Sequence, residues 1–390
     1  MSHQTGNEFK EILNHLLEGN RFKTPTKTDK DYYDELKTTL SYYLETLKTL
    51  NTSGTITSWL KDNHHHIEKS VYQLLAALEQ YLSGNSGKAY QEIEQYFENE
   101  IIKSLLVELF VPLDNSYIYD HHIPEALYRV RQSATKLSKR EEMFHVPFEK
   151  RHLVSNQRYS IAGVPCLYLG SSFFICWEEL GRPSLNTLYI SAFKTNNHSS
   201  INVLDLSFSL ESLINNGLED FFSSALNISE INKIKAYISV FPLVQSCSFI
   251  RKNSDGKFNA EYVIPNLVLQ WISEKKNQIH GIKYRSTRVK DIKYCKQIHN
   301  FVFPPKRDEY QKDFFCEDLI NSFCLTAPYS FEVLDVIEAV ERSDKSGVEI
   351  EIEDGLKVSY AKTKFSEIEN KILQYGQFEK ICSRTKNKHE

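Results

Sequence analysis

NQRYSIAGVPCLYLGSSFFICWEELGRP (Asn156–Pro183) is the stretch that decides how this chain is read. Gly163-Val164-Pro165 is a turn signal. The short apolar run CLYLG after it, bounded by turn residues, reads as a buried strand. SSFFICWEEL then reads as a helix whose last turn carries two adjacent carboxylates, Glu178 and Glu179. A strand passing directly into a helix sets the pattern for the rest of this half of the molecule.

Working outward, LYISAFK, INVLDLS, HGIKYRS and HNFVFPP are further β-rich runs. SLESLINN, ISEINKIKAYISVF and AEYVIPNLVLQWISEKK read as helices between them. GVEIEIEDGLKVSYAK alternates on both sides of Asp354-Gly355 and predicts a hairpin, with FSEIENKILQYG as a closing helix. The first ~110 residues differ in kind. NEFKEILNHLLEG places Phe9, Ile12, Leu13, Leu16 and Leu17 on one helical stripe. Three more helical segments follow, the first of them capped by Asp29 or Asp31. The expectation is an α+β protein: an all-α bundle over residues 1–110, then a domain over 120–390 with a mixed β-core and surrounding helices. VPLDNSYIY (Val111–Tyr119) is the expected boundary.

Composition narrows the classes of function. A net charge of −4 gives no global attraction to nucleic acid or to an anionic membrane. The longest apolar run, IIKSLLVELFVPL, is interrupted by Lys103 and Glu108, so no membrane span is expected. The 7 cysteines form no C-x-x-C, which reads as reduced thiols in a cytoplasmic protein. His64, His65 and His66 are consecutive and point about 100° apart on a helix, so they cannot readily share one metal. His121 and His122 have no carboxylate at helical spacing, and no metal is expected. Phosphate-loop, dinucleotide-fold and G-x-S-x-G signatures are absent. The N-terminal region holds no readable chemistry and suggests a regulatory or oligomerising module, leaving a homo-oligomer open.

The chemistry-bearing residues lie in the middle of the chain. ALYRVR sets Arg129 and Arg131 on one face of a strand. Arg158 and Tyr159 precede the Gly-Val-Pro turn, Tyr168 lies in the buried strand, and Ser286 ends KYRS. Each has an ordinary alternative: a surface arginine, a core tyrosine, an exposed helical glutamate.

Taken together, LYRV, the block RYSIAGVPCLYLGSSFFICWEEL, and EYVIPNLVLQWI followed by GIKYRS resemble the RES domain family over roughly Ala126 to Pro304. Asn266 stands where that pattern has glutamine, and the spacer from Arg129 to Arg158 is long. The resemblance implies a fold similar to ADP-ribosyltransferases and a toxin-like activity that consumes NAD, with an antitoxin as partner. It implies Arg129, Arg158 and Glu179 as catalytic residues, and Tyr159, Tyr168 and Ser286 as NAD-binding residues. Glu179 is preferred to Glu178 from its spacing after Tyr168.

These residue types suit that chemistry. Arginine forks match pyrophosphate oxygens, and aromatic faces stack on a cationic nicotinamide ring. Cleaving the N-glycosidic bond develops positive charge on the ribose, which a carboxylate stabilises. Ser286 would orient a ribose or phosphate by hydrogen bonding. Water, phosphate, or a protein or RNA could accept the ADP-ribose, and a non-catalytic nucleotide-binding module is a further alternative. A role in toxin–antitoxin or anti-phage defence fits the first of these.

Overall fold

The helical stripes of the N-terminal region form α1 (Ser2–Leu17), α2 (Tyr32–Lys48), α3 (Thr55–Leu82), α4 (Ser86–Glu98) and α5 (Glu100–Leu105). They belong to a computed structural model that describes residues 2–113, 125–196, 200–215, 228–253, 256–274, 278–289, 298–306, 314–337, 349–353 and 356–381. The chain continues as β1 (Phe110–Pro112), β2 (Leu127–Gln132), β3 (Leu167–Gly170), α6 (Phe173–Glu179), β4 (Leu188–Thr195), β5 (Asn202–Leu206) and α7 (Leu210–Asn215). Next come α8 (Ile228–Cys247), α9 (Val263–Ile272), β6 (Gly281–Arg285), β7 (His299–Phe303), α10 (Glu317–Ser322), β8 (Phe323–Leu325), β9 (Tyr329–Ser330) and α11 (Phe331–Val336). The described chain ends with β10 (Glu349–Glu353), β11 (Leu356–Ser359) and α12 (Lys364–Tyr375). The protein is α+β, with a large mixed sheet and surrounding helices. Among the described residues no helix is long and apolar enough to cross a membrane. His121, His122, Cys295, Cys382 and the hairpin turn Asp354-Gly355 lie outside the described residues.

The chain divides into two units. The first joins Met1–Phe110 to Gln157–Ser160 and Leu204–Trp271. It therefore takes in α8 and α9 as well as the N-terminal helices, more than the 110 residues whose periodicity marked them. The reason is burial: α8 is buried along its length from Ser239 to Cys247, and such a helix needs apolar neighbours on every side. Local chemistry sets the helix ends. Asp31, not Asp29, caps α2 by accepting from the Tyr33 and Asp34 amides at 2.9 and 3.3 Å. The buried Glu8 carboxylate of α1 accepts from the Ile56 and Thr57 amides at 3.2 and 2.7 Å and so caps α3. That approach needs glycine at position 54, where a Cβ would sit 2.2 Å from Glu8 Cδ.

The ISEINKIKAYISVF pattern predicts a helix ending at Phe241, yet α8 runs on through Pro242. Proline has no N–H to give to the carbonyl four residues back, here Ile238. The Tyr43 hydroxyl of α2 donates to that Ile238 oxygen at 2.7 Å and satisfies it.

The second unit comprises Val111–Asn156, Ile161–Val203 and Ile272–Glu390. The strand order is β1-β5-β6-β7-β3-β2-β4-β8, with β9 on β4; the division between units passes through β1 and β5. From β6 to β8 the ladders are antiparallel. Strand alternation sorts the side chains into two cores. Leu127, Leu167, Leu169, Phe301 and Phe303 pack with Phe144, Phe148 and Phe315. Tyr128, Val130, Ile190 and Ala192 pack with Phe173, Phe174, Phe365 and Ile372. β2 pairs with β4 from Leu127↔Phe193 to Gln132↔Leu188, but with β3 only at Tyr128↔Gly170. β10 and β11 form the expected hairpin.

Two outcomes follow from these contacts. Tyr43→Phe leaves the Ile238 carbonyl buried and unsatisfied, so equilibrium unfolding in urea should show a loss of about 1–3 kcal/mol. The loss should shrink in a Pro242→Ala background, which restores an N–H for that carbonyl. His145 provides the second. Burial pulls its pKa down to about 4, with Arg129 acting in the same direction against its Val146 hydrogen bond. Its Nε2 accepts from the Cys316 amide at 2.9 Å, which requires the neutral ring. Between pH 6.5 and about 4 the unfolded state binds a proton that the folded state does not. Stability should therefore fall as pH drops through that window, with up to about 3 kcal/mol of the fall due to His145 and missing in His145→Gln.

Candidate functional site

α6 is seven residues long, too short to hold itself together, so its neighbours fix it. At its start Ser172 Oγ accepts from the Ile175 amide at 3.1 Å, and Glu369 Oε1 of α12 accepts from the Phe173 amide at 2.5 Å. The Tyr360 hydroxyl donates to the same Glu369 oxygen. The helix crosses directly over Gly170, where a Cβ would lie 2.5 Å from Ile175 Cγ2 and 2.6 Å from Cys176 Sγ. The Cys176 thiol donates to the Tyr128 carbonyl at 3.3 Å. The turn that feeds β3 closes through the Val164 amide to the Ile161 carbonyl at 2.9 Å, with Gly163 at φ 71°. That backbone geometry favours glycine.

The last turn of α6 separates the two glutamates. Glu178 is 4% exposed and is gripped by Arg182, Nε to Oε2 and Nη2 to Oε1, both at 3.0 Å. The same guanidinium lies over the Trp177 ring and donates from Nη1 to the Ile352 carbonyl at 2.5 Å. Burial raises the Glu178 pKa, and Arg182 opposes it. Glu178 is thus occupied in holding the loop after α6.

Glu179 points elsewhere, with its side chain 37% exposed. Its Oε1 accepts from Ser286 Oγ at 2.6 Å and from Asn300 Nδ2 at 2.7 Å. Its Oε2 lies 3.4 Å from Arg288 Nε. Ser286 Oγ in turn accepts from the Arg288 amide at 3.1 Å. The structure therefore brings Glu179 and Ser286 together. It adds Asn300 and Arg288, which the reading of the sequence did not single out.

Arg129 sits one residue past the single β2–β3 pair, on a strand that pairs with β4 from Leu127 to Gln132. Burial lowers its pKa to about 10 and Arg131 pushes the same way, while Tyr168 and Cys176 hold it up. It stays charged at neutral pH. Its Nη1 is buried and has no hydrogen-bond partner among the described residues. Cys176, three residues before Glu179, feels both Arg129 and Glu179. Tyr168 is half-buried on β3, and burial, then its neighbour Cys166, pushes its pKa up. Arg129, Tyr168, Glu179 and Ser286 thus occupy one unit.

Arg158 and Tyr159 are placed in the other unit. Arg158 is buried, donates from Nη1 to the Cys247 carbonyl at 2.9 Å and stacks over Tyr262. Tyr159 is buried, with a hydrogen bond to the Cys247 thiol. Asn266, the departure from the RES pattern, accepts from the Ser160 amide at 2.8 Å through Oδ1. Among the described residues, no three His, Cys, Asp or Glu side chains gather as a metal site.

The Arg182–Glu178 pair predicts a pH signature. Arg182→Ala leaves a buried carboxyl whose protonated form is favoured in the folded state. The variant should lose stability, and lose more at pH 8 than at pH 5, in urea titrations at the two pH values.

Comparison with known proteins adds one relationship. A protein of Bacillus subtilis (strain 168) named "Putative toxin YopC" is 33% identical over 322 residues, covering 79% of this chain and 69% of that protein. No family model matches the chain. No solved structure matches it.

Proposed function

The chain belongs to the family of that Bacillus subtilis toxin homologue, and from this premise we propose that it is a toxin-like enzyme that consumes NAD. The observation that carries the reading is the Glu179 carboxylate, half-exposed and hydrogen-bonded to Ser286, the residue that the RES resemblance pairs with it. In this reading Glu179 lies against the nicotinamide ribose and stabilises the positive charge that grows as the N-glycosidic bond breaks. Nicotinamide leaves with the bonding electron pair as a neutral molecule. Water adds at the anomeric carbon, its proton passes to solvent, and ADP-ribose is released. Inorganic phosphate in the same position would give the 1-phosphate.

Arg129 takes a pyrophosphate oxygen, because a buried guanidinium N–H without a partner among the described residues gains most from an anionic acceptor. Tyr168 lies on the strand beside it and lines the ring end. Arg288 offers a second cation next to Glu179. Arg158 and Tyr159 act in this reading by anchoring their own segment, since both side chains are buried in the first unit. The proposed setting is the cytoplasm, with an antitoxin protein that blocks the site.

The test is nicotinamide release from NAD by the purified chain, with and without phosphate, followed by chromatography of the products. Wild type should release nicotinamide. Glu179→Gln should lower the rate by at least about 100-fold with an unchanged circular dichroism spectrum. Equal rates for the two proteins would sink the assignment.

A further inference from the structure

Glu179 Oε1 is held twice by neutral donors. Ser286 Oγ lies 2.6 Å away and Asn300 Nδ2 lies 2.7 Å away. Oε2 has the Arg288 Nε, at 3.4 Å, as its partner among the described residues. The two carboxylate oxygens are therefore not equivalent.

Asn300 is in a rigid place. It sits in β7 between two other strands, opposite Tyr284 on β6 and opposite Gly170 on β3. Its side chain is 6% exposed in a strand otherwise filled by His299, Phe301, Val302 and Phe303. The ladder continues past β6 through the Ser286 amide to the Ile298 carbonyl at 3.1 Å, so Ser286 and Asn300 share one frame. The amide orientation is set by its neighbour. A flipped amide would turn Oδ1 onto an acceptor oxygen, whereas Nδ2 gives it a hydrogen.

An amide buried in an apolar strand costs desolvation unless it is paired, and Asn300 spends a donor on Glu179. We propose that Asn300 is a positioning residue: with Ser286 it immobilises Oε1 and so presents Oε2 to the ligand. Oε2 is then the oxygen that meets the sugar, and the Arg288 guanidinium must move aside or shift onto the ligand when it does. Asn300 itself does not touch the substrate.

The activity part of the test rests on the NAD reading above; the labelling part does not. Asn300→Ala removes the donor, and Asn300→Asp keeps the shape but replaces the donor with a charge that repels Glu179. Both should lower kcat of the folded fraction for nicotinamide release by about tenfold or more, with KM within about twofold. A purely structural role would lower the midpoint and leave kcat of the folded fraction unchanged.

Independently, ligand-free protein is treated with a water-soluble carbodiimide and glycine ethyl ester, and labelling of Glu179 is read by peptide mass spectrometry. Loss of the donor uncovers Oε1 and frees the side chain to meet the reagent, so labelling should rise several-fold in Asn300→Ala. Unchanged Glu179 labelling in both variants overturns the proposal, whatever the activity. Raised labelling in a protein whose wild type releases no nicotinamide keeps the positioning role and removes the NAD reading.

Discussion

The second unit depends on how one short helix is gripped. α6 spans seven residues, below the length at which hydrogen bonds along a helix sustain it. Its axis is set from outside by Ser172 and Glu369 at the start, by the bare Cα of Gly170 beneath it, and by the Glu178–Arg182 pair at its end. Phe173 and Phe174 pack on Phe365, at ring centroid distances of 5.2 and 5.5 Å, and resist rotation about that axis. Only then does Glu179 meet Ser286 and Asn300. The elements doing this gripping, α12 and the Tyr360 turn before it, follow the RES-like blocks in sequence. The contacts that place Glu179 therefore extend beyond those blocks.

Much of this architecture was legible because local rules and global packing agree. The α1 stripe of Phe9, Ile12, Leu13 and Leu16 is buried as its spacing requires. The alternation in ALYRVR and in the Glu349–Ser359 segment became paired strands, the latter with a register shift between Glu351 and Glu353. What could not be read is long-range. An apolar helix face states that it needs a partner and not which one, so the grouping of α8 and α9 with the N-terminal helices was hidden. Pro242 reads as a stop because its compensation, the Tyr43 hydroxyl, comes from 195 residues to one side of Ile238. The Phe314–Val336 region, with β8, β9, α10 and α11, carries segments too short for a periodic signal.

The site was legible in part, and residue by residue. Glu179 and Ser286 came from the order of blocks, and nothing in either residue alone would have paired them. The separation of Glu178 from Glu179 had an unused signal, since Arg182 stands four residues after Glu178 and an i,i+4 ion pair claims that carboxylate. Asn300 also left a trace, as a lone amide inside HNFVF, where only a specific partner offsets the burial. Arg158 carries two readings. An arginine beside an aromatic suits a phosphate site on paper, but a backbone carbonyl and a tyrosine ring satisfy it equally well.

Arg129 completes the physical picture. A guanidinium whose Nη1 is buried without a partner among the described residues carries a desolvation cost of about 1–3 kcal/mol in the ligand-free protein. Its pKa, lowered to about 10, still leaves it charged near neutrality, so deprotonation does not relieve that cost. Strand geometry explains why it is there. β2 pairs with β4 along its whole length but holds β3 by a single register pair, so the β2–β3 ladder ends just before the residue that carries the charge. A fold optimised for stability alone would close that ladder or place an apolar side chain at the opening. A cation kept at the end of the β2–β3 ladder, with Cys176 in electrostatic reach of both it and Glu179, has the charge and the N–H that the proposed pyrophosphate contact calls for.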